Sequence, residues 1–291
     1  MALSTSGFLC CRSKLYTDRT LQRAVRRRLL GWYDRHGRDL PWRRTRDPYG
    51  VLVSEVMLQQ TQVARVIPAY ERFIARYPTL AALANASLGD VLRLWQGLGY
   101  NRRARDLHRI ARGAPRGLPR GRDALDALPG IGAYTAGAVV CFSTGARVAF
   151  ADTNIRRVLG RIVLERVATE REAVAIDAEL MPRDAARWHH ALMDLGATVC
   201  RARPACELCP LAASCRSRGR VAPVVPRTQA AFATSTRRLR GLALRRLASS
   251  RSVARASLVR ELADVRASSV VAGLADEGLV EVRAGRVRLP G

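Results

Sequence analysis

Residues 128–132 read Leu-Pro-Gly-Ile-Gly, and they join two stretches with helical apolar spacing, Asp123–Leu128 and Ala133–Phe142. Gly130 and Gly132 permit a tight turn and a close approach of the backbone to another molecule. The amides at the start of the second helix then point outward, where they can bind a phosphate. This arrangement is typical of a helix-hairpin-helix motif that holds a nucleic-acid backbone without reading its sequence. A glycine turn between helices can equally be a plain connector.

The charge of the chain is strongly positive. Its 291 residues include 50 Lys and Arg against 24 Asp and Glu, a formal net charge of +26, and Lys14 is the single lysine. An excess of this size suits a polyanionic partner, and binding to such a partner weakens steeply as salt is added. No apolar stretch approaches the length of a bilayer span, and residues 1–14 lack the pattern of a signal peptide. We therefore expect no membrane partner.

Four cysteines cluster near residue 200. Cys200, Cys206, Cys209 and Cys215 are separated by five, two and five residues, which lets their thiolates converge on one metal centre. A [4Fe–4S] cluster and zinc suit four sulfurs equally well. Clustered free thiols indicate a reducing compartment, so we expect a cytoplasmic protein that associates with the nucleoid.

The apolar pattern divides the chain into a long helical part and a short C-terminal part. After an N-terminal tail over 1–20, spacings of three and four recur through 21–218, which predicts a mainly α fold. Residues 219–236 are rich in Pro, Ala, Thr and Ser and predict a linker. Residues 237–291 then predict three helices and a hairpin around Ala284-Gly285, the order of a small winged-helix-like α+β domain.

Glu55 lies where a helix should face the core. Asp47-Pro48 predicts the start of that helix, with Asp47 as N-cap and Pro48 in the first turn. Most neighbours of Glu55 three and four positions away are apolar. Desolvation there would raise the pKa of the carboxyl and keep it protonated near neutral pH, as a general acid requires. The alternative is an ordinary glutamate on a helix surface.

A second carboxylate, Asp152, precedes the predicted helix Ile155–Val163. Its position is that of an N-cap, which would explain an aspartate without any catalytic role. A cap aspartate at the rim of a pocket could stay ionised and also stabilise a nearby cation. The residues alone leave both interpretations open.

Together these features resemble the endonuclease III-like helix-hairpin-helix DNA glycosylase superfamily, and within it the MutY-type adenine DNA glycosylases. The resemblance covers roughly residues 40–215 and implies a core of two helical subdomains with an iron–sulfur loop. Its motifs follow in the family's order: Leu40-Pro41-Trp42-Arg43, Asp47-Pro48-Tyr49, Val53-Ser54-Glu55-Val56-Met57-Leu58-Gln59-Gln60-Thr61, Gly97-Leu98-Gly99-Tyr100, Leu128–Gly132, Asp152-Thr153-Asn154 and the cysteine loop at 200–215.

The resemblance implies removal of adenine mispaired with 8-oxoguanine or guanine in double-stranded DNA, during base-excision repair. The adenine would be flipped out of the duplex, and Glu55 would protonate its N7. Asp152 would stabilise or trap the oxocarbenium-like sugar until water completes the hydrolysis. A monomer carrying a [4Fe–4S] cluster on the four cysteines is expected.

The resemblance also assigns supporting roles. Tyr134 and Asn154 would position the reacting groups, Arg43 would lie beside the adenine, and Gln60 and Tyr100 would wedge into the base stack. Ordinary core packing is the alternative for Tyr100. The positions that the resemblance marks for substrate or DNA binding are Arg43, Trp42, Gln60, Thr61, Tyr100, Gly130, Gly132 and His190.

Tyr134 bears on strand cleavage. Bifunctional relatives that resemble endonuclease III carry a Schiff-base lysine at this place, just after the hairpin glycines. Here the only lysine is Lys14, so no side-chain amine is available there to attack the sugar. The enzyme should therefore remove the base without cleaving the strand.

Three departures from the family pattern affect these expectations. The first cysteine gap has five residues where relatives usually have six, which leaves zinc or an empty site as alternatives to the cluster. His190 stands where relatives often carry Glu or Gln, and it could equally be a plain surface histidine. The C-terminal part is too short for the Nudix-like domain with which many relatives recognise 8-oxoguanine, so its winged-helix-like replacement could bind DNA or dock a protein.

Two other functions compete with the adenine glycosylase. A mismatch thymine glycosylase of the same superfamily could also carry Tyr after the hairpin glycines, but Glu55 in its Gln59-Gln60-Thr61 context favours adenine. A non-catalytic iron–sulfur regulator that binds DNA would have no use for Glu55 on an apolar face or for Asp152.

Overall fold

The computed structural model describes residues 18–220 and 231–291 of the chain. Residues 1–17 of the predicted tail and residues 221–230 of the predicted linker lie outside this range. The described helices are α1 Arg19–His36, α2 Pro48–Leu58, α3 Val63–Arg76, α4 Leu80–Ala84, α5 Leu88–Leu94, α6 Arg102–Gly113, α7 Arg122–Asp126, α8 Ala133–Thr144, α9 Thr153–Val163, α10 Glu170–Leu180, α11 Ala185–Thr198, α12 Thr236–Ala248, α13 Arg255–Leu262 and α14 Ala267–Asp276. The predicted mainly helical fold is confirmed.

Contacts group the described residues into two compact units. The first contains residues from 1–39 and 136–226, and the second contains residues from 40–135 and 227–291. The C-terminal part therefore packs in the same unit as residues 40–135. None of the described helices is long and apolar enough to cross a bilayer.

The first unit is built around α9 and α11, which pack together, and α11 also packs on α1. Ile155 and Leu159 of α9 and Trp188 of α11 are fully buried. Asp194 of α11 is fully buried as well, and it is neutralised by Arg38, whose guanidinium lies 2.7 Å away. A buried carboxylate is tolerated here because it has both an ion-pair partner and the Arg38 backbone amide at 2.8 Å.

The helical part of the second unit is centred on α2, which is buried along almost its whole length. Asp47 caps it as predicted, accepting hydrogen bonds from the amides of Tyr49 and Gly50 at 3.2 and 3.1 Å. Helix α2 packs against α3 and α6. Because a helix buried on every side needs no polar face, its sequence is apolar throughout except for Ser54 and Glu55.

The C-terminal part has the winged-helix-like order that the sequence predicts. Strands β1 Val253–Ala254, β2 Glu281–Arg283 and β3 Arg286–Arg288 form an antiparallel sheet in the order β1-β3-β2. Ala284 and Gly285 both have positive φ, as a two-residue hairpin turn requires. Strand β1 leaves no signal in the sequence, since two residues are too few to show an alternating pattern.

Candidate active site and cysteine loop

Glu55 is the charged residue of α2, and its side chain is buried with 5% of the residue exposed. Ser54 beside it is also buried and donates its hydroxyl to the carbonyl of Val51 at 2.8 Å. The second unit therefore buries a carboxyl at the position that the sequence marks as a general acid.

The segment that leads into α2 is also well packed. Trp42 lies in a short helical turn, Pro41–Arg43, and is 7% exposed, with its ring edge-on to Tyr70 at 5.5 Å. Arg43 ends this turn and is half-buried. Trp42 thus occupies a core position, and its contact with DNA stays a prediction.

Gln60 and Tyr100, the predicted wedge residues, share an unusual backbone conformation. Both are non-glycine residues with positive φ, 55° and 46°, and such residues persist where their surroundings fix them. Gln60 is exposed, and Tyr100 is 37% exposed. Thr61 follows Gln60 and donates its hydroxyl to the Leu98 carbonyl at 3.4 Å.

Arg103 fixes both segments, although no motif in the sequence indicates this role. Its guanidinium donates to the carbonyls of Val56, Met57 and Gln59 at the end of α2, at 2.8, 2.9 and 2.5 Å. It also donates to the Thr61 hydroxyl at 3.0 Å and to the carbonyls of Leu98, Gly99 and Tyr100 at 3.2, 3.1 and 3.4 Å. Burial lowers the pKa of Arg103 to about 10, which leaves it charged at neutral pH. One buried cation therefore satisfies the carbonyls on either side of the two wedge candidates.

The hairpin at 128–132 has the predicted tight turn. The Ile131 amide donates to the Leu128 carbonyl at 3.1 Å. Gly130 has φ of 75°, and a Cβ there would lie 3.2 Å from the carboxylate of Asp106, so glycine is required. Gly132 has no such requirement, since a Cβ there meets nothing within 4 Å. Packing within the chain therefore does not require a glycine here, and the predicted close approach of Gly132 to DNA stays a prediction. Tyr134 lies half-buried at the second position of α8.

In the first unit, Asp152 and Asn154 are joined side chain to side chain. Asp152 caps α9 by accepting from the Ile155 amide at 2.7 Å, and its other oxygen accepts from Asn154 Nδ2 at 2.8 Å. Burial raises the pKa of Asp152, while these hydrogen bonds and the charge of Arg157 act in the opposite direction. The cap interpretation of Asp152 is thus correct, and it does not exclude a second role.

Arg157 connects this pair to the cysteine loop. It donates to Asn154 Oδ1 at 2.7 Å, to the Cys200 carbonyl at 2.6 Å and to the Gly196 carbonyl at 2.7 Å. A Cβ on Gly196 would lie 2.5 Å from the Cβ of Asn154, so only a glycine lets α11 approach α9 this closely at Asn154. Neither Arg157 nor Gly196 carries a motif that the sequence could reveal.

The four predicted cysteine ligands line one small cavity at the end of the first unit, together with Arg161. All four are free thiols. Burial raises the pKa of the Cys209 thiol to about 11 and also raises that of Cys215. Such thiols stay protonated unless a metal replaces the proton. Four thiols are a donor set that a thiolate-ligated metal group uses, although no group of three or more His, Cys, Asp or Glu among the described residues is arranged so that it could hold a metal ion.

The backbone of the cysteine loop is anchored to the end of α9. Arg161, itself buried, donates to the carbonyls of Arg201 and Ala202 at 2.6 and 3.1 Å. The Arg216 and Ser217 amides donate to the carbonyls of Ile162 and Arg161 at 3.1 and 3.2 Å. The loop is thus held at both ends independently of any metal.

His190 stacks on Phe142 at 4.3 Å and is half-buried, so it is more than a plain surface histidine. Its neighbour His189 is fully buried, 2.7 Å from the carboxylate of Asp177, and stacks on Phe150. A role of His190 in base recognition stays a prediction.

Comparisons with known proteins agree with these features. A family model described as "HhH-GPD superfamily base excision DNA repair protein" matches residues 53–183. An adenine DNA glycosylase of Mycolicibacterium smegmatis is 45% identical over 279 residues, covering 90% of this chain and 95% of the relative. An adenine DNA glycosylase of Mycobacterium tuberculosis is 48% identical over 195 residues, covering 63% of this chain and 64% of the relative. Among solved structures, a thermostable thymine-DNA glycosylase matches with a TM-score of 0.60 and 29% identity, covering 68% of this chain and 96% of that one.

Proposed function

We propose, from the premise that this chain belongs to the adenine DNA glycosylases of the HhH-GPD superfamily, that it acts on adenine mispaired with 8-oxoguanine or guanine. The reaction would be hydrolysis of the N-glycosidic bond without strand cleavage. The observation that carries this proposal is the buried carboxyl of Glu55 on a helix that is otherwise almost entirely apolar.

Glu55 would act as the general acid. Flipping the mispaired adenine out of the duplex costs a few kcal/mol, less at a mismatch than in a paired duplex. As the proposed acid, the buried Glu55 carboxyl would deliver a proton to N7 of the adenine. Protonation makes the base a good leaving group, and the bond to the sugar C1′ then breaks with its electrons leaving on the base.

Asp152 would stabilise the sugar that remains. The oxocarbenium-like sugar is a cation, and a carboxylate beside it stabilises the charge or traps it covalently, as in retaining glycosidases. Asn154 holds one Asp152 oxygen at 2.8 Å, which supports its assignment as a positioning residue. Tyr134 is proposed to help position the same groups. Water then adds at C1′ and leaves an abasic site.

The absence of a lysine at Tyr134 supports a monofunctional enzyme. Strand cleavage by β-elimination requires an amine that forms a Schiff base with the sugar. The chain has Lys14 as its only lysine, in the N-terminal tail, so base removal should stop at the abasic site.

The four cysteines would hold a [4Fe–4S] cluster. Their sulfurs line one cavity beside Arg161, and four thiolates are the usual ligand set of such clusters. When bound, the cluster would cross-link the loop at 200–215 and supply no step of the hydrolysis. The contribution of the chain itself is to position this arginine-rich loop, in which Arg201 and Arg203 are exposed toward solvent and a DNA backbone, while Arg216 pairs with Glu165.

Double-stranded DNA would be bound mainly through charge. The net charge of +26 favours association with phosphates, and the hairpin at Gly130 and Gly132 offers backbone amides to them. We propose that the enzyme acts as a monomer in the cytoplasm, at the nucleoid. The remaining substrate and DNA contacts are proposed at Arg43, Trp42, Gln60, Thr61, Tyr100 and His190.

Single-turnover excision on labelled duplexes tests this function. Duplexes carrying A·8-oxoG, A·G, T·G and A·T are incubated with excess enzyme, and each sample is divided for treatment with or without hot alkali. Adenine release from the first two, with strand breaks only after alkali, is the expected result. Thymine release from T·G would assign the chain to a thymine glycosylase, and strand breaks without alkali would contradict the monofunctional mechanism.

A further inference from the structure

The second unit contains a cavity beside the predicted wedge residues that the proposed mechanism does not use. It has a volume of about 300 Å³ and is lined by Gln59, Gln60, Tyr100, Asn101, Arg102, Arg103 and, from the C-terminal part of the chain, Arg240. The winged-helix-like part therefore supplies one wall of a cavity whose other walls belong to residues 59–103.

Side-chain and backbone bonds hold the C-terminal part in this position. Glu277 is bound by Arg102 at 2.6 Å and by Arg240 at 3.0 Å, and its carbonyl accepts from Arg105 at 2.6 Å. The two arginines lower the pKa of Glu277 to about 2. Near the last residue of the chain, the Gly89 amide donates to the Pro290 carbonyl at 2.8 Å. A Cβ on Gly89 would lie 2.6 Å from that oxygen, so this contact requires a glycine.

A second arginine of α12 reaches the wedge directly. Arg237 donates to the phenolic oxygen of Tyr100 at 2.9 Å. The guanidinium of Arg103 lies over the ring of the same tyrosine, 5.4 Å from its centroid. Tyr100 is thus held at its ring by Arg103 and at its hydroxyl by Arg237, while 37% of the residue remains exposed.

The lining of the cavity has the chemistry of a nucleotide-binding site. Arg102, Arg103 and Arg240 carry three positive charges against the single negative charge of Glu277, and Arg237 adds a fourth beside the rim. Arginine is suited to phosphate because its planar fork pairs with two oxygens at once. The amides of Gln59, Gln60 and Asn101 can donate to and accept from a base edge, and an exposed aromatic ring offers a stacking surface.

We propose that the C-terminal part completes a nucleotide-binding pocket beside Gln60 and Tyr100, in which Arg237 and Arg240 bind the phosphate of one nucleotide of the duplex. This inference rests on the proposed function for its substrate, a duplex with a mispaired adenine. It gives the winged-helix-like part a direct role at the lesion, through the N-terminal half of α12 rather than through its wing.

The test measures DNA affinity without excision. The full-length protein is titrated into a fluorescent duplex in which 2′-fluoro-2′-deoxyadenosine, whose glycosidic bond resists cleavage, stands opposite 8-oxoguanine. Arg237→Ala/Arg240→Ala should raise Kd about tenfold at 0.15 M salt. It should also reduce the slope of log K against log salt by about 0.9, since the contact with one phosphate is lost.

Two control variants separate the pocket from general charge and from docking. Arg245→Ala/Arg251→Ala removes the same charge from exposed positions of the C-terminal part, and Kd should change less than twofold. Glu277→Gln breaks the ion pairs but keeps both arginines, and binding should stay equal or become tighter. The pocket is contradicted if the Arg245/Arg251 control weakens binding as much as the test variant, if Glu277→Gln weakens it equally, or if the test variant binds like the parent.

Excision distinguishes failure of this inference from failure of the proposed function. Ordinary A·8-oxoG duplex is given to the parent protein and to the Arg237/Arg240 variant at saturating enzyme. Adenine release by the parent with unchanged affinity of the variant overturns the pocket alone. Absence of release by the parent, with the predicted loss of affinity in the variant, overturns the adenine reaction and supports the pocket as a DNA site.

Discussion

Two arginines, the buried Arg103 in the second unit and the half-buried Arg157 in the first, each hold predicted site residues in place, and they do so in different ways. Arg103 binds backbone carbonyls and one hydroxyl, all of them neutral, around Gln60 and Tyr100. Arg157 binds carbonyls too, but it also holds Asn154, which binds the carboxylate of Asp152. The first arginine therefore fixes a backbone shape, whereas the second fixes side chains and influences a titration.

The difference indicates where each arginine should be sensitive. A cation surrounded by neutral acceptors contributes by satisfying them, so its loss should appear mainly as lost stability. A cation coupled to a reacting carboxylate should also change the rate and its pH dependence. Four substitutions test this contrast.

The largest effect is expected for Arg103→Ala. Removing the guanidinium leaves several buried carbonyls without donors, which should lower the free energy of unfolding by about 3 kcal/mol or more. Urea unfolding at pH 7 measures it. The control is Arg102→Ala. The side chain of Arg102 is 64% exposed, so loss of its ion pair with Glu277 should cost less than about 1 kcal/mol. Equal losses for the two variants would contradict the special role of Arg103.

Gly196→Ala should mainly reduce the rate. The added Cβ meets Asn154 at 2.5 Å, so Asn154 must shift and carry its hydrogen bond to Asp152 with it. A displacement of this kind can cost about 100-fold in rate, measured as single-turnover adenine release at saturating enzyme. Gly31→Ala is a matched control, because a Cβ at this helical position of the same unit meets nothing within 4 Å. Its rate should equal that of the parent.

Arg157→Ala should move the acid side of the pH–rate profile. Burial raises the pKa of Asp152, and Arg157 opposes that shift, so removing Arg157 raises the pKa further. Because the proposed mechanism requires the ionised carboxylate of Asp152, the rate should begin to fall at a higher pH in the variant as the solution is acidified. Arg156→Ala, which removes a neighbouring arginine bound to the Ala168 carbonyl, should leave the profile in place. An unchanged profile in Arg157→Ala would separate Asp152 from this network.

The smallest effect is expected at an exposed arginine, Arg166, which pairs with Glu172 at 2.5 Å. Arg166 and the capping Thr169 lower the pKa of Glu172 to about 2. A depressed carboxylate pKa stabilises the fold at neutral pH, and this contribution disappears as pH falls from the ordinary value toward 2. Arg166→Ala should therefore cost at most about 1 kcal/mol at pH 7, and less still at pH 3, in urea unfolding. A cost near that of Arg103→Ala would remove the contrast between buried and exposed arginines.

The sequence predicted those parts of the molecule that depend on local pattern. Asp47 and Pro48 mark the start of α2, and Ala284-Gly285 marks the hairpin, because caps and turns are set by adjacent residues. The burial of Glu55 also followed from its apolar neighbours. The resemblance to a known family supplied the roles of the site residues.

Arg103, Arg157 and Gly196 could not be predicted in this way. Each acts on residues that are distant in sequence, such as Arg103 on Val56 and Arg157 on Cys200, and an arginine in an arginine-rich chain carries no mark of burial. The packing of residues 237–291 with residues 40–135 was also beyond the sequence. It depends on contacts between residues distant in sequence, such as the packing of α12 on α5 and the hydrogen bonds of Glu277, that no periodicity encodes.

The most direct test of the central claim is Glu55→Gln, compared with the parent in parallel assays of DNA binding and single-turnover excision on an A·8-oxoG duplex. Glutamine keeps the shape of the side chain and removes the acidic proton. We predict a Kd within about threefold of the parent, because the contacts with DNA are kept. Adenine release should fall at least about a thousandfold, because the variant cannot protonate the base. Substantial adenine release by the variant would contradict the role of Glu55 as the acid.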